Sequence, residues 1–140
     1  MNVKVGDIIR RCTHFNYPIG QYLLVEKIRK QHIIVRGTST NAFPLLKNVN
    51  IKVYKKLTLK ISKEDLLRLS VPYLGTFYYE ANKSFSKAAD EQPEVVTFWA
   101  PHTSKKITFR LDYAERKIIH GKPCIRFYFI ERLFRNYDNV

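Results

Sequence analysis

Four histidines, at positions 14, 32, 102 and 120, and two cysteines, at 12 and 124, are the residues best suited to metal or nucleophilic chemistry in this chain. Their spacing suits neither. There is no CxxC pair and no Cys/His ligand pattern, so a zinc site and a disulfide framework are not expected, and the two thiols read as buried and free. Gly-rich phosphate loops, a GxSxG elbow, an HExxH helix and an EF-hand loop are all missing from the sequence. Asp7 and Glu26 stand alone among the first 60 residues, which removes the carboxylate pair that two-metal phosphodiester chemistry needs there. Further on, Asp112 and Glu115 beside Arg116 and Lys117 read as a solvated ion pair. No catalytic residue, metal ligand or cofactor is expected.

What remains is positive charge. Lys and Arg number 25 against 12 Asp and Glu, a formal charge of +13 with a pI near 9.9. The excess is uneven: residues 1–60 hold 12 Lys and Arg against two acids, and residues 61–140 hold 13 against 10. A field of that sign attracts polyanions, so nucleic acid, an anionic membrane or an acidic protein are the partner classes to weigh. The cations expected to face phosphate are Arg10, Arg11, Lys27, Arg29, Lys30, Arg36, Lys52, Lys55 and Lys56. Lys105 and Lys106 join them, in a turn with His102, Thr103 and Ser104 that offers hydroxyls, backbone N–H groups and two ammonium groups, or else serves only as a polar hairpin turn. In the series Phe127, Tyr128, Phe129, alternate rings point to opposite faces, one into a core and the other free to stack.

These side chains need strands to carry them. A chain of 140 residues with 45% hydrophobic content is enough for one ordinary domain or two small ones. Residues 8–12, 22–28 and 33–38 are rich in β-branched and aromatic types and read as strands, with Arg29, Lys30 and Gln31 as a hairpin tip. Residues 50–61 alternate as a half-buried basic strand bent near Lys55, with Ile51, Val53, Leu57, Leu59 and Ile61 opposite Lys52, Lys56 and Lys60. Ser62 then reads as the N-cap of a short helix whose first turn holds Glu64 and Asp65 and which Pro72 stops. Beyond it, residues 76–81 read as a strand, 82–94 as a mobile loop, and 95–100, 106–113 and 124–130 as an antiparallel meander. Ile130, Leu133, Phe134 and Tyr137 have the spacing of one helical face, which predicts a short closing helix. The expectation is therefore mainly β: a small basic barrel over 1–61, a connecting helix over 62–72, and a second antiparallel β module over 73–140. No apolar run approaches the roughly 18 residues of a membrane span, and the chain reads as a soluble cytoplasmic protein with no membrane partner.

Val3-Lys4-Val5-Gly6-Asp7-Ile8-Ile9, then Gly20, Tyr22-Leu23-Leu24-Val25-Glu26-Lys27-Ile28 and Ile33-Ile34-Val35-Arg36 resemble the opening of KOW and other SH3-like small barrels. The resemblance covers about residues 3–60. It implies a five-stranded barrel with basic loops at one rim, of a kind that often binds DNA, RNA or RNA polymerase partners, and in plan the chain is similar to KOW-containing phage modulators of the MotB type. A second resemblance, to MazF/PemK-like toxins, aligns Gly6-Asp7, Leu23-Leu24-Val25 and Thr38-Ser39, and implies metal-free RNA cleavage using Arg36, Thr38 and Ser39. The leading expectation is a non-enzymatic, largely sequence-nonspecific binder of double-stranded DNA that modulates host transcription or the nucleoid. The alternatives are the RNA-cleaving toxin and a module that docks on an acidic protein.

Overall fold

Short β-branched runs and the turns between them build a mainly β protein. The computed structural model describes residues 2–38, 41–70, 76–80 and 83–137, and the chain divides into two units, Met1–Lys55 and Lys56–Val140.

The first unit is an antiparallel sheet of β1 (Ile8–Cys12), β2 (Pro18–Ile28), β3 (His32–Gly37), β4 (Ala42–Leu46) and β5 (Ile51–Val53). Its order is β4-β3-β2-β1-β5, a four-strand meander whose fifth strand returns to the open side of β1. Alternate residues from four of these strands, Ile9, Leu23, Val25, Ile33, Val35 and Leu45, make one buried cluster, and Val3, Phe43, Val49 and Ile51 pack against it. Apolar surface removed from water on this scale is the main force holding such a sheet. The strand β4 contains Pro44, a residue without the N–H that a ladder uses. It lies on an edge strand, where a missing N–H costs no ladder bond on the open side.

The second unit has β6 (Lys56–Lys60), α1 (Lys63–Leu69), β7 (Thr76–Glu80), α2 (Lys83–Glu91), β8 (Val95–Ala100), β9 (Lys105–Ile119) and β10 (Lys122–Tyr137), with sheet order β6-β8-β9-β10-β7. Leu59, Leu66, Phe85, Phe98, Phe127 and their neighbours form its core. The helix α1 starts as its sequence predicts: Ser62 Oγ accepts from the Asp65 N–H at 3.1 Å. Pro72 lies outside the described residues.

Four expectations are corrected. The basic strand expected over 50–61 is two strands: β5 ends at Val53, and β6 pairs with β8 in the second unit. The first unit therefore ends at Lys55, ahead of the expected 61, and the connecting helix packs into the second core through Leu66 and Leu69. Within residues 73–140 the pairings of β7, β8, β9 and β10 are antiparallel as expected, and the parallel pair of this sheet is β6 with β8. Most of the mobile loop expected over 82–94 is α2. Its polar composition hid a stripe in which Phe85, Ala88 and Ala89, at i, i+3 and i+4, face the core.

The closing helix is the fourth. Ile130, Leu133, Phe134 and Tyr137 lie in β10, paired with β9. Register shifts between Phe129 and Glu131 and between Arg132 and Phe134 insert extra residues into the ladder. Each bulge slides the two-residue alternation by one, so that Leu133 and Phe134 are both buried and a strand reads as a helical period.

Candidate nucleic-acid interface

In the first unit, β1 and β5 bring Arg10 and Lys52 directly opposite each other. Arg10 and Tyr22 lie on neighbouring strands, and the guanidinium carbon of Arg10 sits 5.1 Å from the Tyr22 ring centroid. Its Nε donates to the Gly20 carbonyl at 3.0 Å and its Nη1 to the Tyr54 hydroxyl at 3.5 Å. Lys52 Nζ stands 4.6 Å from the Tyr54 ring, and the two tyrosine rings are 5.0 Å apart. Burial pulls the Arg10 pKa down, but the bond to Tyr54 and the nearby phenols outweigh it and raise it. Cation–π contact and stacking on rings fix these long side chains before any ligand arrives. Tyr22 and Tyr54 were not singled out in the sequence, where they read only as strand residues.

Arg29 and Lys30 occupy the turn between β2 and β3, and both are exposed. The turn is closed by the Arg29 N–H donating to the His32 carbonyl at 2.8 Å. Arg11 and Lys27 are exposed on β1 and β2, and Lys55 is exposed just beyond β5. Arg36 differs. A bulge in β2 at Glu26 sets that carboxylate against the Arg36 guanidinium, which donates to it from both Nε and Nη2. The hydrogen bond to Glu26, followed by its charge, raises the Arg36 pKa. Asp7, the other acid of the unit, accepts from the Lys4 backbone N–H at 2.9 Å. Thr38 is exposed just beyond β3, and Ser39 lies outside the described residues.

Lys56, Lys105 and Lys106 belong to the second unit. Trp99, the only tryptophan, stands in register between Lys60 on β6 and Lys106 on β9. Their ammonium groups lie 5.4 and 6.0 Å from its ring centroid. The hydroxyl of Thr103 is spent on its own turn, donating to the Ala100 carbonyl at 3.1 Å and accepting from the Lys105 N–H at 3.3 Å. Of the three rings at 127–129, Phe127 and Phe129 join the core, since residues two apart on a strand share a face. Tyr128 lies on the other face, stacked on Tyr113 with centroids 4.2 Å apart.

No family model, curated protein or solved structure matches the chain.

Among the described residues no group of three or more His, Cys, Asp and Glu is placed to hold a metal ion. No helix among them is long and apolar enough to cross a membrane. What the first unit offers chemically is a set of cations, most of them exposed, with ring faces beside Arg10 and Lys52.

Proposed function

We propose that the chain is a non-enzymatic, largely sequence-nonspecific binder of double-stranded DNA, and that the first unit makes the main contact. One observation carries this reading. Both carboxylates of that unit are engaged by its own groups, Asp7 by a turn N–H and Glu26 by Arg36, while Arg11, Lys27, Arg29 and Lys30 are exposed. Charges arranged in this way bind phosphate chiefly by releasing counterions, which carries little sequence information. The five strands of the first unit agree in number with the small barrel that the KOW resemblance implies. The engagement of Arg36 by Glu26 speaks against its use as the cation of an RNA-cleaving centre. A modulator of transcription or of nucleoid structure is the role that such binding fits.

The test is fluorescence anisotropy of the full chain on a mixed-sequence duplex across a salt series. With six phosphates neutralised, affinity falls about a thousandfold between roughly 50 and 200 mM salt. A flat salt response overturns the reading. A mixed-sequence RNA incubated in EDTA stays intact, and site-specific cuts that vanish in Arg36→Ala would replace this reading with the ribonuclease.

A further inference from the structure

The loop of residues 13–17, between β1 and β2, is closed by its own hydrogen bonds. Thr13 Oγ1 accepts from the backbone N–H groups of Phe15 at 3.3 Å and Tyr17 at 3.2 Å. The Thr13 N–H donates to the Tyr17 carbonyl, and the Asn16 N–H to the Thr13 carbonyl, both at 2.9 Å. Asn50, at the start of β5, clamps the loop from the neighbouring strand. Its side-chain amide donates to the Thr13 carbonyl at 2.8 Å and to Asn16 Oδ1 at 2.7 Å. Asn16 has φ of 68°, a left-handed conformation that asparagine enters more readily than most residues.

A loop closed in this way has lost its backbone freedom before a partner arrives, and what it displays is aromatic. Phe15 is 71% exposed and Tyr17 69%. The His14 ring lies 4.0 Å from that of Phe15. Rings of this size ordinarily stabilise a fold by burial, and here they contribute almost none. Their surroundings are positive: Arg11 is exposed on the adjoining strand, opposite Ile19 of β2, and the unit's two carboxylates are engaged as described. The carboxylates of an acidic peptide would satisfy Arg11 but offer the rings no flat face. A nucleic-acid strand with unstacked bases covers both, because every base offers a flat π face and every nucleotide a phosphate.

We propose that residues 13–17 form a preorganised stacking platform on which the Phe15 and Tyr17 rings hold unpaired bases of DNA while Arg11 meets an adjoining phosphate. This rests on the DNA-binding reading and adds a preference that charge alone does not produce. Single-stranded, gapped or melted stretches are favoured over intact duplex at equal salt, without sequence preference.

The experiment compares the full chain with the double variant Phe15→Ala/Tyr17→Ala on a single strand carrying 2-aminopurine and on the matching duplex. Wild type quenches 2-aminopurine in the single strand. The double variant loses at least about thirtyfold in affinity for the single strand, the amount that stacking of two bases on two rings supplies, and keeps its duplex affinity and its salt slope. Phe15→Trp/Tyr17→Phe, which retains π faces, binds as wild type does, and Phe15→Leu/Tyr17→Leu, which retains only bulk, loses affinity as the alanine variant does. Wild type that binds duplex but neither quenches the probe nor prefers the single strand overturns the platform and leaves the DNA reading standing. Equal losses on both DNA forms also overturn it, as does a leucine variant that binds normally. Absence of binding to either form overturns both proposals, and the platform then passes to a protein partner.

Discussion

Arg36 on β3 and Glu26 on β2 form a two-point ion pair, guanidinium to carboxylate, at the bulge that brings the glutamate out of the regular ladder. One of the cations expected to face phosphate is thereby partly neutralised. Glu26→Gln releases it. The expected result is tighter binding to duplex DNA at low salt and a slope of log K against log salt steeper by about one unit. Fluorescence titration across the salt series reads both quantities.

Arg29 and Lys30 stand at an exposed turn, and the Arg29 backbone already closes that turn through His32. Removing both side chains should therefore leave the fold intact. Arg29→Ala/Lys30→Ala is expected to weaken duplex binding and make the salt slope shallower by about two units, one for each phosphate contact. An unchanged slope places the β2–β3 turn outside the interface.

Phe85 separates a packed helix from a mobile loop. Its ring is 1% exposed and meets the Phe127 ring edge-on, with centroids 5.8 Å apart. Phe85→Ala should cost about 3–5 kcal/mol of stability, the range for a large aromatic truncated in a core. Urea denaturation followed by Trp99 fluorescence measures it, whereas a side chain in a loose loop would change the midpoint very little.

Leu59 tests the assignment of β6. It is fully buried and pairs in register with Phe98 of β8. Leu59→Ala is expected to lower stability by about 2–5 kcal/mol. The loss should show in the Trp99 transition, since Trp99 and β6 belong to one sheet. A chain truncated after Lys60 carries β6 without its partner β8, so truncation after Lys55 should give the better-behaved first unit in a solubility comparison.

The Tyr128 hydroxyl donates to Glu115 Oε1 at 2.7 Å. That bond holds the Glu115 carboxyl below the usual carboxylate range, against burial, which raises it, and with help from Lys117. On the other partner, burial and then Glu115 push the Tyr128 phenol up. A carboxylate depressed by folding contributes stability above its unfolded pKa, and that contribution disappears as pH falls through the folded one. Tyr128→Phe should bring the Glu115 titration back toward the ordinary value. Carboxyl-carbon NMR across the acid range reads the shift directly, and an unmoved titration would assign the depression to Lys117.

The charge surplus, the shortage of acids before residue 60, the strands 8–12 and 95–100 and the Ser62 cap were legible in the sequence, because each depends on composition or on neighbours a few residues apart. The Arg29-Lys30 turn was legible for the same reason. Other features were not, because they depend on pairing between distant segments. The apolar stripe of α2 becomes a buried helix face only once Phe85 meets Phe127, and the bulges of β10 give a strand the spacing of a helix. Lys56 looks continuous with Lys52 along the chain, yet β5 pairs with β1 and β6 with β8, so the two lysines fall in different units. The site divides in the same way. The sequence named Arg10, Lys52 and Arg36 as cations. Only the register across β1, β2, β3 and β5 decided that Tyr22 and Tyr54 hold the first two and Glu26 takes the third, since cross-strand distance is set by hydrogen-bonded pairing and not by position in the chain.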